Sequence, residues 1–216
     1  MTRIVTAFHS GPEGAKGNAR DMRVRWALEE AGLPYDTHTI DFASHEQARA
    51  EGQPFGQIPT YRDGTVDMFE SGAIVLHIAE DCEALLPADP PARARAMSWL
   101  FAALNTVEPA TWSLLMLHFL KPDWADAARP SMIEAAQDRL KTVSDALGDK
   151  DWLEDRFTVG DLMMVSVIRH IRGSGVVDAF PNLLAFVKRG EARPAFQRAL
   201  AANRADFDAP SPAEAA

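Results

Sequence analysis

Strand and helix patterns alternate only in the first third of this chain, and this confinement restricts its fold more than any other feature. The segment RIVTAF at 3–8 is short and rich in β-branched residues, and YDTHTIDF at 35–42 has the same character, as expected of strands. Between them, the apolar residues of RDMRVRWALEEAG at 20–32 recur at the spacing of one helical face. This order predicts a β-α-β unit whose two strands pair in parallel.

The following segment predicts a hairpin. IPTYR at 58–62 and TVDMF at 65–69 flank the pair Asp63–Gly64, which favours a two-residue hairpin turn. A helical segment follows at 71–82, and EQARAEG at 46–52 is a candidate for a short additional helix. These elements predict an α/β domain of order β-α-β-β-β-α, or β-α-β-α-β-β-α with the additional helix.

A proline-rich segment, LLPADPPARARA at 85–96, separates this part from a second part with helical patterns and almost no strand signal. We predict an α/β domain at 1–82, a linker at 83–91, an all-helical domain at 92–206 and a disordered tail at 207–216. The expected fold class is therefore α/β followed by all-α.

The composition excludes several classes of partner and site. The chain of 216 residues carries a net charge of −9, and an acidic surface disfavours nucleic acid and anionic membranes as partners. No segment shows the apolar length that we expect of a membrane span or a signal peptide. The single cysteine, Cys82, excludes an intrachain disulfide, and the six histidines show no metal-binding spacing. We therefore expect a cytoplasmic protein without a metal ion.

Two short motifs point to a ligand. Pro59 begins a predicted strand, and a cis bond there would turn the backbone N–H and C=O of Ile58 towards a peptide-like ligand. A trans proline that simply begins the strand is the alternative. Glu70 and Ser71 precede a helix, whose N-terminus favours a carboxylate while Glu70 would attract an ammonium group. The alternative is an ordinary helix with Ser71 as its N-cap.

The sequence around these motifs, PFGQIPTYRDG…MFESGAIVLHIAE, resembles the glutathione site of the cytosolic glutathione transferases, which carry N-P-F-G-Q-[IV]-P and F-E-S-x-A-I. The resemblance extends in outline over the whole chain and implies a thioredoxin-like first domain followed by a helical one. Thr158 and Asp161 match the family's S/T-x-x-D capping box at the start of a buried helix. Because the family is usually homodimeric, the resemblance also implies a homodimer.

The same resemblance implies a role for each matching residue. Pro59 would be the family's cis-proline, and the backbone of Ile58 would pair with the cysteinyl part of glutathione. The γ-glutamyl end would lie at Glu70 and Ser71, and the glycyl carboxylate near His45. The implied glutathione-binding residues are His45, Gln57, Ile58, Pro59, Glu70 and Ser71.

The thiol-activating residue departs from the family pattern. Family members stabilise the glutathione thiolate with a Tyr, Ser or Cys in the loop after the first strand, and this loop contains neither Tyr nor Cys. Alignment on the first helix selects Asn18, whose amide can donate to a thiolate, whereas alignment on the first strand selects Ser10. The alternative role of Asn18 is a helix N-cap, and that of Ser10 is a turn serine.

The resemblance implies an apolar pocket in the helical domain for a small hydrophobic electrophile, and Trp112, Met116 and Phe119 lie there at helical spacing. Such a stripe is also typical of plain core. We therefore expect a glutathione S-transferase. The alternatives are a glutathione-dependent peroxidase or isomerase, or a non-catalytic glutathione-binding carrier, which the absence of the usual Tyr or Cys favours.

Overall fold

The chain forms two compact units. The computed structural model describes residues 2–209 and all of their side chains except that of His118. The first unit comprises the residues up to Leu85 together with those from Arg193 onward, and the second comprises Leu86–Ala192. The last helix therefore packs with the α/β unit, although its sequence pattern assigned it to the all-helical domain.

The C-terminal end also differs from expectation. The last helix continues to Asp208, so the first two residues of the tail predicted at 207–216 are helical. Residues 210–216 of that tail lie outside the described part of the chain. That residues 1–82 and 92–206 form two independently folding domains remains a prediction.

The secondary structure follows the predicted order. The strands are β1 (Ile4–Phe8), β2 (Asp36–Ile40), β3 (Thr60–Arg62) and β4 (Asp67–Phe69). The helices are α1 (Asp21–Ala31), α2 (His45–Ala50), α3 (Ser71–Ala79), α4 (Pro90–Ala102), α5 (Glu108–Leu120), α6 (Ala125–Leu147), α7 (Val159–Arg169), α8 (Pro181–Glu191) and α9 (Pro194–Asp208). The predicted fold class, a thioredoxin-like β-α-β-α-β-β-α unit and a helical unit, is confirmed.

The four strands form one mixed sheet in the order β2-β1-β3-β4. β1 and β2 are parallel, with Ile4 opposite Asp36, as the β-α-β pattern predicted. β3 is antiparallel to both β1 and β4. The short helix α2 is present, so the longer of the two predicted orders is correct.

The hairpin turn is shifted by one residue from its predicted position. Arg62 pairs with Asp67 across the two strands, which makes Gly64 and Thr65 the central residues of the turn. The cause is the side chain of Asp63, because its Oδ1 atom accepts hydrogen bonds from the N–H groups of Thr65 and Val66 at 2.9 and 3.1 Å. A hydrogen bond from the Thr65 hydroxyl, then one from His77 and those from the two N–H groups, hold the pKa of Asp63 well below its usual range.

Helices cover both faces of the sheet in the first unit. α1 packs against α3, β1 and α9, and contributes the fully buried Trp26, whose ring lies 5.0 Å from that of Phe196 in α9. A smaller apolar cluster elsewhere in the unit joins β2, α2 and the segment before β3. Its members are Ile40, Ala48 and Ile58, with Phe8 and Ala19 packed against them.

The described residues of the second unit form helices joined by loops and contain no strand, as predicted. α7 is its most central helix, because every residue from Val159 to Ile168 is buried. Thr158 and Asp161 form the predicted capping box at its start, with Asp161 Oδ2 accepting the Thr158 N–H at 2.9 Å. Asp161 Oδ1 also accepts the Leu153 N–H at 2.8 Å, so this carboxylate ties the preceding loop to the helix.

α4 and α5 run on from one another through a short π-helical segment, Ala103–Val107. The segment ends two residues before Pro109, near the start of α5, where the missing N–H and the ring of proline disturb regular α-helix bonding. By length and composition the resulting 28 residues, Pro90–Leu117, could cross a membrane, contrary to our expectation from the sequence. Core helices of soluble proteins satisfy the same two criteria.

Candidate active site

The residues predicted to form the site come from segments that meet at one end of the sheet. β1 and β2 both end there, at Phe8 and Ile40. β3 begins there at Thr60, which pairs with Phe69 at the end of β4. Ligands of open α/β sheets commonly bind at the carboxyl ends of the parallel strands. The segments that leave or enter the sheet at this end carry Ser10, Asn18, His45, Gln57, Ile58, Pro59, Glu70 and Ser71.

The side chain of Ile58 packs in the apolar cluster, whereas its backbone N–H and C=O can bond a ligand. The Ile58–Pro59 bond is cis, as the resemblance implied. The side chain is only 6% exposed and packs in the cluster with Ile40 and Ala48. Within residues 2–209 the backbone N–H and C=O of Ile58 make no hydrogen bond, although such groups are nearly always paired. An extended ligand backbone can pair with both.

His45, the first residue of α2, holds the loop that leads to Ile58. Its Nδ1 atom donates a hydrogen bond to the Gly56 carbonyl oxygen at 2.7 Å. Gly56 has a φ of +68°, and a Cβ atom there would lie 2.9 Å from the Cβ of His45, so the close approach requires glycine. Because Nδ1 bonds the carbonyl, Nε2 is the ring nitrogen that remains for a ligand carboxylate. Gln57, the next residue, is exposed.

Glu70, and not Ser71, is the N-cap of α3. The Glu70 carbonyl accepts the Ile74 N–H at 3.0 Å, and Ser71 is the first helical residue. Glu70 has a φ of +71°, a left-handed conformation that is uncommon for a residue with a side chain. Its carboxylate is exposed and makes no ion pair with any residue of the described chain. The helix start thus offers N–H groups to an anion while Glu70 offers an unneutralised carboxylate to a cation.

Arg23 is a site residue that the sequence analysis missed. It lies on α1, is only 2% exposed, and its Nη1 atom donates to Ser71 Oγ at 3.2 Å. A buried guanidinium beside the N-terminus of α3 adds to the positive potential of the helix dipole there. The available signal was a charged residue inside a helix whose residues from Asp21 to Leu28 are all buried. The helix was predicted from the spacing of its apolar residues, and that spacing gives no information about a buried charge such as Arg23.

Asn18 lies in the turn before α1, and it is not the N-cap of that helix. Arg20 occupies the N-cap position and makes no capping bond with its side chain. The Asn18 Nδ2 atom donates to the Gly14 carbonyl at 3.0 Å. The next residue, Ala19, packs against the cluster that holds Ile58. Asn18 therefore lies next to the segment that would bind the cysteinyl part of glutathione.

Ser10 lies at the other end of the same loop, two residues after β1. Its side chain is exposed. The preceding residue, His9, is buried, and its Nε2 atom lies 2.7 Å from Asp41 Oδ1. The bonds from His9 and then Gln47 hold the pKa of Asp41 below its usual value. The His9–Asp41 pair fixes the end of β1 against the end of β2.

The residues predicted for the second-substrate pocket lie on one face of α5 in the second unit. Trp112 and Met116 are half-buried, and Phe119 is 55% exposed. A different face of α5 packs against the core of the unit, and its residues Thr111, Leu114 and Leu117 are buried. Trp112, Met116 and Phe119 are more exposed than these core residues, and their role as a second-substrate pocket stays a prediction.

Among residues 2–209, no group of three or more His, Cys, Asp or Glu side chains is arranged to hold a metal ion.

Comparison with known proteins identifies the family. The family model for the glutathione S-transferase N-terminal domain matches residues 21–84. Glutathione S-transferase 3 of Zea mays is 31% identical over 198 residues, which cover 84% of this chain and 88% of the maize protein.

Solved structures show the same fold. Poplar glutathione transferase F1 superposes with a TM-score of 0.81 at 19% identity, covering 95% of this chain and 99% of its own. A glutathione transferase from Burkholderia graminis, crystallised with two glutathione molecules per subunit, gives a TM-score of 0.80 at 23% identity and covers 98% of this chain and 89% of its own. On the strength of the maize relative and the shared fold, the chain belongs to the glutathione S-transferase family.

Proposed function

We propose that this glutathione S-transferase binds glutathione at the end of the sheet and directs its thiolate at a small apolar electrophile. The observation that carries the proposal is the convergence of an unbonded backbone at Ile58 with an unneutralised carboxylate at Glu70. The pairing of Thr60 with Phe69 supports this, because Pro59 and Glu70 are the residues next to that pair in their two segments. Glutathione is a peptide with an α-amino acid at one end and a carboxylate at the other, which suits both groups.

Each part of glutathione has a proposed partner. The Glu70 carboxylate would bind the γ-glutamyl ammonium, and the N–H groups at the start of α3, with Ser71 and Arg23 beside them, would bind its carboxylate. The Ile58 backbone would pair with the cysteinyl residue. His45, with Gln57 nearby, would bind the glycyl carboxylate through its Nε2 atom.

The chemistry requires the thiolate of bound glutathione. The thiol releases its proton to solvent, and the Asn18 amide together with the start of α1 would stabilise the negative sulfur. The sulfur then donates an electron pair to an electrophilic carbon, and the leaving group departs with the bonding pair. With a chloronitrobenzene the products are a thioether and chloride. Trp112, Met116 and Phe119 would bind the apolar part of the electrophile.

We also propose a homodimer that acts in the cytoplasm on reactive electrophiles, that is, in detoxification. The first unit supports association because it exposes several large apolar side chains, among them Phe55 and Phe69. The rings of Phe55 and Phe69 lie 6.3 Å apart, so these two side chains form one patch.

Binding and turnover measurements on matched variants test the site. Glu70→Ala and Ser71→Ala remove charge-assisted bonds and should each raise the glutathione Kd about tenfold. Glu80→Ala, which removes an exposed carboxylate at the other end of α3, serves as the control and should leave Kd unchanged. Unchanged affinity in both Glu70→Ala and Ser71→Ala would reject the proposed site.

Turnover distinguishes the transferase from its alternatives. Wild-type protein should conjugate a chloronitrobenzene, and Asn18→Ala should lower kcat about tenfold with little change in Kd, because the amide acts on developing thiolate charge. Reduction of cumene hydroperoxide without conjugation would indicate a peroxidase. Glutathione binding with neither reaction would indicate a carrier. Lower affinity with normal kcat in Asn18→Ala would remove that residue from catalysis.

A further inference from the structure

The loop that carries Asn18 is long and has little secondary structure of its own. It runs from the end of β1 at Phe8 to the start of α1 at Asp21 and contains a single 3-10 turn, Glu13–Ala15. A hydrogen-bond donor that acts on a thiolate must be held within a few tenths of an ångström. The Asn18 amide bonds the Gly14 carbonyl within the loop, so its position depends on a further constraint that holds the loop itself in place.

The side chain of Asn203 in α9 supplies that constraint. Its Oδ1 atom accepts the Gly17 N–H at 2.7 Å, and its Nδ2 atom donates to Asp21 Oδ2 at 3.0 Å. The two bonds flank Asn18, one at the residue before it and one at the first residue of α1. Asn203 is fully buried, so both bonds form away from competing water.

Only an amide of this length fits both partners. The Gly17 N–H requires an acceptor and the Asp21 carboxylate requires a donor, and asparagine presents one of each. Asp21 also accepts a bond from Arg25 Nε at 2.7 Å, and Arg25 in turn pairs with Asp206 of α9. The contact with Asn203 thus belongs to a polar network that links α1 and α9.

Packing holds the same part of the loop against α9. Gly17 has a φ of +75°, and a Cβ atom there would lie 2.6 Å from Leu200 Cδ1, one turn before Asn203. Lys16 pairs with Asp208 at 2.5 Å. The Gly17 backbone therefore lies close to the Leu200 side chain of α9, in a conformation that favours glycine.

We propose that Asn203 is a positioning residue for the thiol-activating amide of Asn18, which makes the C-terminal helix α9 a part of the catalytic apparatus. The inference rests on the proposed function, because it assigns Asn203 to the step that Asn18 performs. Asn203 does not touch the substrate. It bonds the backbone N–H of Gly17 before Asn18 and the side chain of Asp21 after it, and the γ-glutamyl and glycyl contacts lie on other segments.

The test compares Asn203→Ala with Arg198→Ala, a control on the same helix. Arg198 binds Glu29 at the surface and makes no contact with the loop, so its loss weakens α9 without moving Asn18. For Asn203→Ala we expect the thiol pKa of bound glutathione, read from thiolate absorbance against pH, to rise by about one unit. We expect kcat/KM below that pKa to fall about tenfold while the glutathione Kd stays within twofold. Arg198→Ala should match the wild type in all three quantities.

Leu200→Ala keeps the proposal testable if Asn203→Ala does not fold. It removes the contact with Gly17 and leaves no buried polar group unpaired, so the fold should survive, and the thiol pKa should rise by a smaller amount in the same direction. A folded Asn203→Ala with the wild-type thiol pKa and kcat would overturn the proposal. If Asn203→Ala is unfolded, a wild-type thiol pKa in Leu200→Ala would likewise overturn the proposal.

Amide hydrogen exchange separates this inference from the proposed function. The Gly17 amide should exchange at least tenfold faster in Asn203→Ala than in the wild type or in Arg198→Ala, without glutathione present. If the wild type binds no glutathione, the proposed function fails even where exchange shows the predicted difference. If glutathione binds and turns over but Gly17 exchange is unchanged in Asn203→Ala, the positioning role fails alone.

Discussion

At the scale of single residues, Glu70 combines a backbone conformation that disfavours side chains with a carboxylate that the site needs. Its φ of +71° costs about 1–3 kcal/mol relative to an ordinary conformation. The surrounding structure sets this angle, since β4 ends at Phe69 and α3 begins at Ser71, which leaves one residue to turn the chain. The residue that would relieve the strain is glycine, which has no carboxylate.

Glu70→Gly should therefore separate stability from function. The free energy of unfolding should rise by about 1 kcal/mol, because relief of the strained φ exceeds the entropic cost of glycine. Glutathione affinity should fall about tenfold, as in Glu70→Ala. Denaturant unfolding and calorimetric titration measure the two effects, with Glu70→Ala as the comparison that loses the carboxylate and keeps the strain. An unfolding free energy for Glu70→Gly below that of Glu70→Ala would contradict the strain argument.

At the scale of elements, the start of α7 depends on a buried carboxyl group. Burial raises the pKa of Asp161 to about 6, although bonds from Leu153 and Thr158 act in the opposite direction. Between about pH 4 and pH 6 the folded protein therefore holds a proton at Asp161 that the unfolded chain has lost. The contribution of this group to stability is largest at low pH and decreases as the pH rises through that window.

Asp161→Asn should remove this pH dependence. The variant loses one or more capping bonds and should be less stable than the wild type at every pH. The stability difference between the two proteins should be largest near pH 4 and shrink by about 3 kcal/mol towards pH 7, because only the wild type deprotonates. Urea unfolding at several pH values measures it. A difference that stays constant or grows with pH would show that Asp161 is ionised throughout.

Two elements show how local rules were overruled by their neighbours. The segment at 129–149 has the pattern of an amphipathic helix in which Pro130 suits the first turn, yet Pro130 lies inside α6, which begins at Ala125. The Asp63–Gly64 pair favoured a two-residue turn, yet the Asp63 side chain bonds Thr65 and Val66 and moves the turn centre by one residue. In both cases the element was predicted correctly, and its boundary depended on bonds that a local pattern does not contain.

At the scale of the whole molecule, the exposed aromatic patch on the first unit predicts self-association. Phe55 is 63% exposed, and a large aromatic ring left in water favours an interface. Phe55→Ser should shift the protein from dimer to monomer in sedimentation velocity at micromolar concentration. The control is Phe119→Ser, because Phe119 lies on the second unit and its side chain is also largely exposed, at 55%. This variant should leave the sedimentation coefficient unchanged. A dimer of undiminished stability in Phe55→Ser would exclude this patch as the interface.

The sequence by itself determined the fold class, the order of strands and helices, and most of the segments that form the site. These follow from the spacing of apolar residues and from short motifs such as that around Pro59, which depend on neighbours a few residues away. The tertiary structure decided what depends on distant pairs. It placed Arg23 at Ser71, joined Asn203 to the loop of Asn18, and assigned α9 to the α/β unit. Arg23 and Ser71 are separated by 48 positions in the sequence, and Gly17 and Asn203 by 186. Such contacts produce no periodic pattern in the sequence, because a buried polar group bonds whichever partner the fold brings to it.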